Sequence, residues 1–376
     1  MKNSKLLFII SFISIVSCAQ KHKSIVIAEE PTTIDYTTEV VVPKLDIPWG
    51  FVFLPDGALL ITEKAGELIH FKDGVKTNID GLPEVYLRGQ GGLMDIELHP
   101  NYIENGWLYL THSSADGKGE GGNTALIRAQ LSGNKLTSVE RLYKAEQNTK
   151  RGQHFGSRIE FDAEGYLYFS IGDRGNRDVN PQDLTRDCGK IYRINADGSI
   201  PNDNPFLEFP DAKTAIYSYG HRNPQGMVRH PDTGQIWVHE HGPRGGDEIN
   251  LIKKGGNFGW PLISYGINYS GTSFTEETDL TGMEQPLFYW VPSIAPSGMA
   301  FVTSDVYPDW KNNLLVGSLK FEYIERLVMK NDTVVKREKL LEGMGRVRNV
   351  RQGSDGYIYA AIESLGIVKI IPNNYK

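Results

Sequence analysis

Six short segments of the chain combine glycines with one or two polar side chains; they span residues 89–92, 152–156, 220–226, 239–248, 317–320 and 345–348. Glycine has no Cβ, so a ligand can approach the backbone of such segments closely. Among their residues, the best candidates for binding and chemistry are one histidine, four cations and two amides: His154, Arg222, Lys320, Arg346, Arg348, Gln90 and Asn223. This combination predicts a site for a polyanion beside one general base.

His154 is the best candidate for the base, because an imidazole titrates near neutral pH and the glycines at 152 and 156 leave room for a substrate. Arg346 and Arg348 lie two residues apart on a predicted strand or strand end, so both point to one face and repel each other unless an anion lies between them. The alternatives are a structural histidine, solvated or ion-paired arginines, and turn-forming roles for Gln90 and Asn223.

Two groups of residues could bind a metal. Asp247 and Glu248, with backbone carbonyls nearby, suit a hard, oxygen-seeking ion, which favours calcium over zinc. His239 and His241 form a rival group, since their spacing places both imidazoles on one side of a strand, where they could begin a transition-metal site. That rival needs a third ligand, such as His154 or His221.

One local pattern recurs through the chain and predicts the elements that position these residues. A turn of Pro, Asp, Gly or Asn precedes a short alternating or aromatic-rich strand six times, at Asp56, Asn101, Asp162, Asp232, Asp309 and Asp355. The gaps average about 60 residues, which suits a four-stranded blade with variable loops. No long segment has a 3.6-residue period, so helices should be few and short. The pattern predicts an all-β, six-bladed β-propeller of four-stranded antiparallel blades, with the functional loops around the mouth of the central channel. Unrelated hairpins of another β protein are the alternative.

The N-terminal sequence is typical of an export signal. Lys2 and Lys5 precede an apolar run at 6–16, which is too short to span a bilayer as a helix. The run ends in Ile-Val-Ser-Cys, which resembles the lipobox of bacterial lipoproteins. We therefore expect a signal peptide at 1–17, lipid attachment and membrane anchoring at Cys18, a polar tether at 18–38, and the propeller at 39–376, in the periplasm or cell envelope. An ordinary cleaved signal is the alternative.

Composition narrows the class of protein. The chain has 376 residues, 40% of them hydrophobic, 40 glycines and only two cysteines, which excludes a disordered chain, a collagen-like fibre and a disulfide scaffold. The net charge is −6, and loss of the two signal-peptide lysines would lower it by two more, which argues against a nucleic-acid partner. Cys188 is expected to be an inert buried thiol.

Residues 48–370 resemble the soluble dehydrogenases of glucose and aldose sugars that depend on pyrroloquinoline quinone (PQQ). The resemblance lies in motifs such as Gly-His-Arg-Asn-Pro-Gln-Gly at 220–226 and Gly-Gly-Asn-Phe-Gly-Trp at 255–260. It implies a six-bladed propeller that uses PQQ and calcium to oxidise aldoses to lactones. Electrons would pass to an external acceptor, because no haem-attachment motif is present.

The resemblance also implies roles in cofactor and substrate binding. His154 matches the base that takes the proton of the anomeric hydroxyl as hydride passes to the quinone, and Gln90 matches an amide on the substrate side. Arg222 matches the arginine over the reactive carbonyl, and Asn223 matches a ligand of the neighbouring quinone oxygen. Three further cations match those that hold the quinone oxygens and carboxylates: Lys320, Arg346 and Arg348.

Calcium ligands are implied in the same way. The carbonyls of Gly242 and Pro243 match ligands of the ion that touches the cofactor. Asp247, Glu248 and the carbonyl of Phe258 match parts of additional calcium sites.

Two positions depart from the glucose-oxidising members. Gln153 replaces an aspartate before the base, and Val291 replaces a tryptophan that stacks near the cofactor. Trp290 is adjacent, but an offset of one residue on a strand points it the other way. These departures weaken any expectation of glucose specificity. The shorter loops resemble those of the aldose sugar dehydrogenase branch, which implies a broad or unknown sugar range.

Two other functions fit a propeller with these loops. One is a non-catalytic module that binds carbohydrate or protein, as in hedgehog-interacting relatives. The other is a calcium-dependent lactone hydrolase in which His154 activates water. The paired arginines favour the quinoprotein, because neither alternative requires so many cations around one base.

Overall fold

The computed structural model describes Ile27 and residues 35–373. Within that part of the chain, six sheets of four antiparallel strands are present. The first three blades are β2 (Pro48–Phe53), β3 (Leu59–Glu63), β4 (Glu67–Lys72) and β5 (Val75–Asn78); β6 (Leu93–Leu98), β7 (Trp107–Ser114), β8 (Asn123–Ser132) and β9 (Lys135–Lys144); and β10 (Ile159–Phe161), β11 (Leu167–Ile171), β12 (Lys190–Ile194) and β13 (Ile216–Tyr219). The other three are β14 (Pro224–Arg229), β15 (Ile236–Glu240), β16 (Asp247–Leu251) and β17 (Phe288–Trp290); β18 (Pro296–Phe301), β19 (Leu314–Ser318), β20 (Tyr323–Lys330) and β21 (Thr333–Leu340); and β22 (Val347–Gln352), β23 (Ile358–Ile362), β24 (Gly366–Pro372) and β1 (Tyr36–Pro43).

The blades close into a ring around a central channel. The first strand of each blade contacts the first strands of its two neighbours, in the order β2, β6, β10, β14, β18, β22 and back to β2. This arrangement confirms the predicted six-bladed propeller. Helix in the described residues is limited to α1 (Tyr102–Asn105) and a 3-10 turn at Pro308–Trp310, as predicted.

The sixth blade extends the folded part beyond its predicted boundary. Its fourth strand is β1, which begins at Tyr36 and pairs with β24 from Tyr36↔Pro372 to Pro43↔Gly366. The expected boundary at residue 39 therefore comes three residues too late, and the predicted tether loses residues 36–38 to the sheet. The physical reason is that both ends of the chain must contribute strands to one blade to close the ring.

Apolar side chains form the core between neighbouring blades. Six clusters of buried residues each join two adjacent sheets, for example Val52, Leu60, Leu93 and Leu110 between the first and second blades. Aliphatic and aromatic strand residues fill these gaps because each sheet is covered on both faces. Each blade is thereby fixed by its neighbours, which gives the channel a rigid wall.

The alternation of strand directions sorts the loops to the two ends of the channel. The six predicted turn residues all lie in connections between the first and second strands of a blade, which confirms the repeat. Those connections lie at one end. The segments before each first strand, and those between second and third strands, lie at the other end, and there the chemical groups converge.

Candidate active site

His154 and Asp173 form a hydrogen-bonded pair at this second end of the channel. The imidazole Nδ1 lies 2.6 Å from Asp173 Oδ1, so Nδ1–H donates to the carboxylate and Nε2 keeps its lone pair. Burial, together with the nearby charge of Arg222, lowers the pKa of His154 despite the carboxylate. The imidazole, with 14% of its side chain exposed, is therefore a neutral base at neutral pH.

Both carboxylate oxygens of Asp173 accept hydrogen bonds. Trp260 Nε1 donates to its Oδ2 over 2.9 Å, and the Gly175 amide donates to its Oδ1 over 2.6 Å. Burial opposes the charge, but the hydrogen bond and the charge of His154 keep the pKa of Asp173 below its usual value. The sequence analysis does not single out Asp173 and so missed this function. The available signal was an acid directly after the buried strand β11, at the end where His154 lies.

Gln90 lies beside the base, as expected. Its Oε1 accepts a hydrogen bond from the His154 amide over 2.7 Å, and its side chain is exposed to solvent. His154 has φ of 56°, in the left-handed region, and Gly156 has φ of 65°. The left-handed backbone at His154 is thus fixed on one side by the hydrogen bond from its amide to Gln90.

Arg222 is buried against the next blade. Its amide donates to Glu240 Oε2 over 2.6 Å, and its Nη1 donates to the carbonyls of His241 and Gly242 over 3.0 and 2.9 Å. Glu240 Oε1 accepts from His221 Nδ1 over 2.8 Å. Glu240 is thus a positioning residue that the sequence did not single out, and it fixes the start of the Arg222 segment.

The rival transition-metal site is wrong. His239 is fully buried, and burial lowers its pKa to about 3. His241 Nε2 lies 2.7 Å from the Pro296 carbonyl, so its ring is already bound to backbone. Within residues 35–373, His, Cys, Asp and Glu form no group of three or more that could hold a metal. The third ligand that the two histidines require is absent from that part of the chain.

Asn223 has a buried donor without a partner. Its side chain is fully buried, its Oδ1 accepts from the Gly156 amide over 3.2 Å, and its Nδ2 has no hydrogen-bond partner among the described residues. A buried unpaired N–H costs about 1–3 kcal/mol. An oxygen of a bound cofactor would satisfy it, so this residue fits the quinone ligand that the resemblance implies.

The three remaining cations lie together on the fifth and sixth blades. Arg346 Nη1 donates to the Leu319 carbonyl, which places it beside Lys320. Lys320 is exposed and forms no ion pair with any residue of the described chain. Arg346 and Arg348 do share one face, and the anion between them is Glu363, whose oxygens lie 2.9 Å from Arg346 Nε and 3.1 Å from Arg348 Nε. Their proximity therefore does not by itself require an anionic ligand.

Asp247 does not fit the calcium role expected of it. Its carboxylate accepts hydrogen bonds from the Gly242 amide, the Ser293 hydroxyl and the amides of Ile294 and Ala295, at 2.7–2.9 Å. These donors occupy both oxygens and tie the 242 loop to the start of the fifth blade. Asp247 is a structural carboxylate, and a calcium ion would have to displace its donors.

Glu248 fits a cation better. Its carboxylate has one long hydrogen bond, 3.3 Å from Asn250 Nδ2, and burial beside Glu240 raises its pKa to about 8. Glu240 and Glu248 both border a void of about 10 Å³, together with Gly242 and Phe258. That space holds about one water or one ion. Pro243 is buried directly after Gly242, whose carbonyl is bound to Arg222.

The two departures from the glucose-oxidising pattern have visible consequences. Trp290 is buried, and its Nε1 donates to Glu325 over 2.6 Å, so it does point away from the site. Val291 is 64% exposed and lies beside Gly245, on the rim near the Gly242 loop. Gln153 gives its carbonyl to the buried Arg174. The exposed residue at this part of the rim is therefore the small aliphatic Val291.

Cys188 is buried, and burial raises the pKa of its thiol to about 11. This agrees with the expected inert thiol. The predicted signal peptide and Cys18 lie outside the described residues. Within them, no helix is both long and apolar enough to cross a membrane.

Known proteins share this fold and these motifs. Residues 45–368 match the family model described as glucose/sorbosone dehydrogenase. The aldose sugar dehydrogenase YliI of Escherichia coli K12 is 41% identical over 354 residues, which cover 92% of this chain and 94% of the relative. The solved apo structure of the soluble aldose sugar dehydrogenase of Escherichia coli superposes with a TM-score of 0.85 at 39% identity, over 90% of this chain and all of the other.

A second solved structure is the PQQ-bound form of an aldose sugar dehydrogenase from Streptomyces coelicolor. It has a TM-score of 0.72 at 26% identity and covers 91% of this chain and 99% of the other. The matched family model covers most of the propeller, and YliI, at 41% identity, covers 92% of this chain. The chain therefore belongs to the glucose/sorbosone dehydrogenase family.

Proposed function

We propose that this protein is a PQQ-dependent dehydrogenase that oxidises aldose sugars to lactones. The observation that carries the proposal is the neutral His154, oriented by Asp173 at the mouth of the channel, next to a cation cluster and the unpartnered Nδ2 of Asn223. The aldose sugar dehydrogenase relatives and the PQQ-bound neighbour support the same reading.

The chain's own groups suit the proton transfer of this reaction. His154 Nε2 takes the proton of the sugar's anomeric hydroxyl, and the Asp173 carboxylate stabilises the imidazolium that forms. Gln90, whose amide nitrogen is free to point outward, orients the sugar beside the base. When bound, PQQ would supply the acceptor for the hydride that leaves the anomeric carbon, so that loss of this hydride and of the hydroxyl proton would convert the sugar to a lactone.

Cofactor binding would rest on five side chains of this protein. The Asn223 amide would bind an oxygen of PQQ, and Arg222 would stabilise negative charge on its carbonyl edge. Lys320, Arg346 and Arg348 would hold its carboxylates. Because Glu363 already neutralises part of the arginine charge, we expect Lys320 and Asn223 to contribute more to affinity than sequence reasoning assigned to them.

Calcium would bind near the Gly242 loop. The void beside Glu248 offers a carboxylate with only one long hydrogen bond, and calcium prefers such oxygen ligands, whereas both oxygens of the neighbouring Glu240 already accept hydrogen bonds. An ion there would keep Glu248 ionised against the effects of its burial. The carbonyls of Gly242 and Pro243 lie on the adjoining loop and would join a second ion at the cofactor.

Electrons would leave the site to a separate acceptor. The only cysteines are at 18 and 188, so the chain cannot form a Cys-x-x-Cys-His haem attachment.

We further propose export and lipid anchoring at Cys18. A Cys18→Ala variant expressed in a Gram-negative host should appear in the soluble envelope fraction, whereas wild type should sediment with membranes; equal distribution of the two would contradict anchoring.

The deciding experiment is dye reduction by the purified protein with a panel of aldoses, with and without PQQ and calcium. We expect sugar-dependent turnover only in the full mixture, with a change in cofactor absorbance on addition of sugar. Absence of both signals in the full mixture would overturn the proposal. A lactone substrate should give no acid release above buffer, which separates oxidation from lactone hydrolysis.

A further inference from the structure

The channel contains a cavity at the end opposite the candidate active site. Its volume is about 200 Å³, and its walls come from the inner strands β14, β18 and β22 and from the residues around the start of β10. Arg229, at the far end of β14, lies six residues beyond Asn223, a distance of roughly 20 Å along a strand. The cavity is therefore separate from the groups proposed to bind the cofactor.

Two rigid arginines present unpartnered donors to this cavity. Arg158 is 3% exposed; its Nε donates to the Gln225 carbonyl and its Nη1 to Asp95 Oδ1, both over 2.9 Å, and its guanidinium lies 4.2 Å from the ring centre of Trp49. Its Nη2 has no partner among the described residues. Three contacts thus fix the guanidinium in the wall of the cavity, and one of its donors is used by none of them.

Arg351 repeats this arrangement. Its Nη1 lies 2.6 Å from Glu97 Oε2 and its Nη2 donates to the Ile96 carbonyl, while its buried Nε has no partner in residues 35–373. Asn349 is 2% exposed, and its Nδ2 is also unpartnered there. All three unpaired groups are donors, so the ligand that satisfies them must be an acceptor.

The charges of the residues that line the cavity also favour an anionic ligand. The carboxylates that pair with Arg158 and Arg351 are Asp95 and Glu97, which lie behind the guanidinium groups and do not line the cavity. The charged lining residues are Arg158, Arg229, Arg351 and Glu160. Burial beside Glu97 raises the pKa of Glu160 to about 8, so its carboxyl is largely neutral at pH 7. The inner surface is consequently cationic.

We propose that this end of the channel is a binding site for a small oxyanion, which Arg158, Arg351 and Asn349 hold by hydrogen bonds and which Arg229 covers at the exposed side. Guanidinium groups bind the oxygens of sulfate, phosphate and carboxylates in this way. The space exceeds that of one water, about 30 Å³ in the liquid, so the anion can enter with part of its hydration. The site is independent of the proposed dehydrogenase reaction.

Isothermal titration of the purified full chain with sulfate tests the proposal, in the absence of PQQ and at constant ionic strength set with chloride. We expect saturable binding of one sulfate per chain. A parallel titration with acetate identifies the class: tighter sulfate binding indicates a tetrahedral anion, and tighter acetate binding indicates a carboxylate. Heat that is identical to that of a chloride titration would overturn the proposal.

Variants locate the site. Arg229→Gln removes an exposed side chain and should weaken binding roughly tenfold, the effect of losing one charge-assisted hydrogen bond. Asn349→Asp has nearly the same shape but replaces the donor with a negative charge, so it should abolish binding. Arg186→Gln is the matched control, because Arg186 is exposed and does not line the cavity. Unchanged affinity in Arg229→Gln, or equal loss in the control, would refute the site.

The pH dependence gives an independent check. Glu160 faces Glu97, Arg351 and Arg229, so its protonation removes the one anionic group of the cavity wall. Sulfate does not titrate in this range, so its affinity should rise as the pH falls through about 8. In a Glu160→Gln variant the same pH change should have little effect. A pH dependence that persists in that variant would contradict the arrangement of charges.

Discussion

Replacement of Asp173 with asparagine tests the central pair of the candidate site. In the wild type, Asp173 Oδ1 accepts from His154 and from the Gly175 amide, and Oδ2 accepts from Trp260. Both oxygen positions therefore face N–H donors. The amide group of an asparagine must oppose one of them, whichever way it turns.

Either orientation harms the base. If the amide nitrogen faces His154, it donates to Nδ1 and moves the imidazole proton to Nε2, where it blocks acceptance of the substrate proton. If the nitrogen faces Trp260 instead, two donors oppose each other, at a cost of about 1–3 kcal/mol. In both cases the imidazolium that forms during proton transfer loses a carboxylate 2.6 Å away.

The expected loss follows from that ion pair. Breaking a buried pair costs about 3–5 kcal/mol, and each 1.36 kcal/mol corresponds to a factor of ten in rate. We expect kcat/KM for aldoses to fall roughly 10²- to 10⁴-fold, measured by dye reduction with the PQQ-loaded protein. Titration with PQQ should give an unchanged affinity, because Asp173 makes none of the contacts proposed for the cofactor.

The pH profile separates this function from a merely structural one. The neutral imidazole is the active form, and the Asp173 carboxylate raises the pKa of His154. Its loss should move the acid limb of kcat/KM to lower pH while the plateau falls. Asp183→Asn is the matched control, since Asp183 pairs with Arg186 at the surface. A plateau within tenfold of wild type, or an acid limb that moves to higher pH, would refute the reasoning.

Three further variants test the surrounding groups. His154→Ala should reduce turnover at least 10²-fold and retain PQQ binding; equal loss of both would contradict its role as the base. Glu363→Gln removes the carboxylate between Arg346 and Arg348, so the melting temperature without PQQ should fall by roughly 5 °C, and PQQ should then raise it more than in wild type; an unchanged melting temperature would contradict this. Glu248→Gln removes a carboxylate that an ion would require, so it should raise the calcium concentration for half-maximal activity at least tenfold; an unchanged calcium requirement would exclude the proposed void.

The fold was predictable because its signal is local. Each blade contains one turn between its first and second strands, such as those around Asp162 and Asp355, and the strand that follows the turn is adjacent in sequence, so six copies of one short pattern indicated six blades. The position of β1 was not predictable in the same way. It pairs with β24, more than 300 residues away along the chain, and only closure of the ring specifies that contact.

The site was predictable in part for a related reason. Glycines on either side of His154 and Asn223 marked loops that must approach a ligand. The partners of the polar groups were not visible, because Asp173 and Glu363 come from connections between second and third strands, and reach His154 and Arg348 through packing of the loops. Sequence separation carries no signal for such contacts.

The different surroundings of Asp247 and Glu248 follow from a rule that was available from the sequence. Asp247 and Glu248 are consecutive residues of β16, so their side chains point to opposite faces of the sheet and cannot join one cation. The same rule correctly placed Trp290 away from the site and Val291 at its rim. Applied to the acid pair, it would have assigned Asp247 to the interface with the fifth blade and left Glu248 alone as the metal ligand.

The pairing of the arginines with Glu363 changes which residues distinguish the candidate functions. Arg346 and Arg348 share one carboxylate of their own chain, which neutralises part of their charge, so a hydrolase or a binding module could also contain them. Binding of an anionic cofactor would then exchange one carboxylate for another, with little net gain from these two cations. The unpaired Lys320 and the orphaned Nδ2 of Asn223 have no such substitute. Lys320 and Asn223 lie at the same end of the channel as the neutral base His154. They therefore support sugar oxidation with a bound quinone more strongly than the arginine pair does.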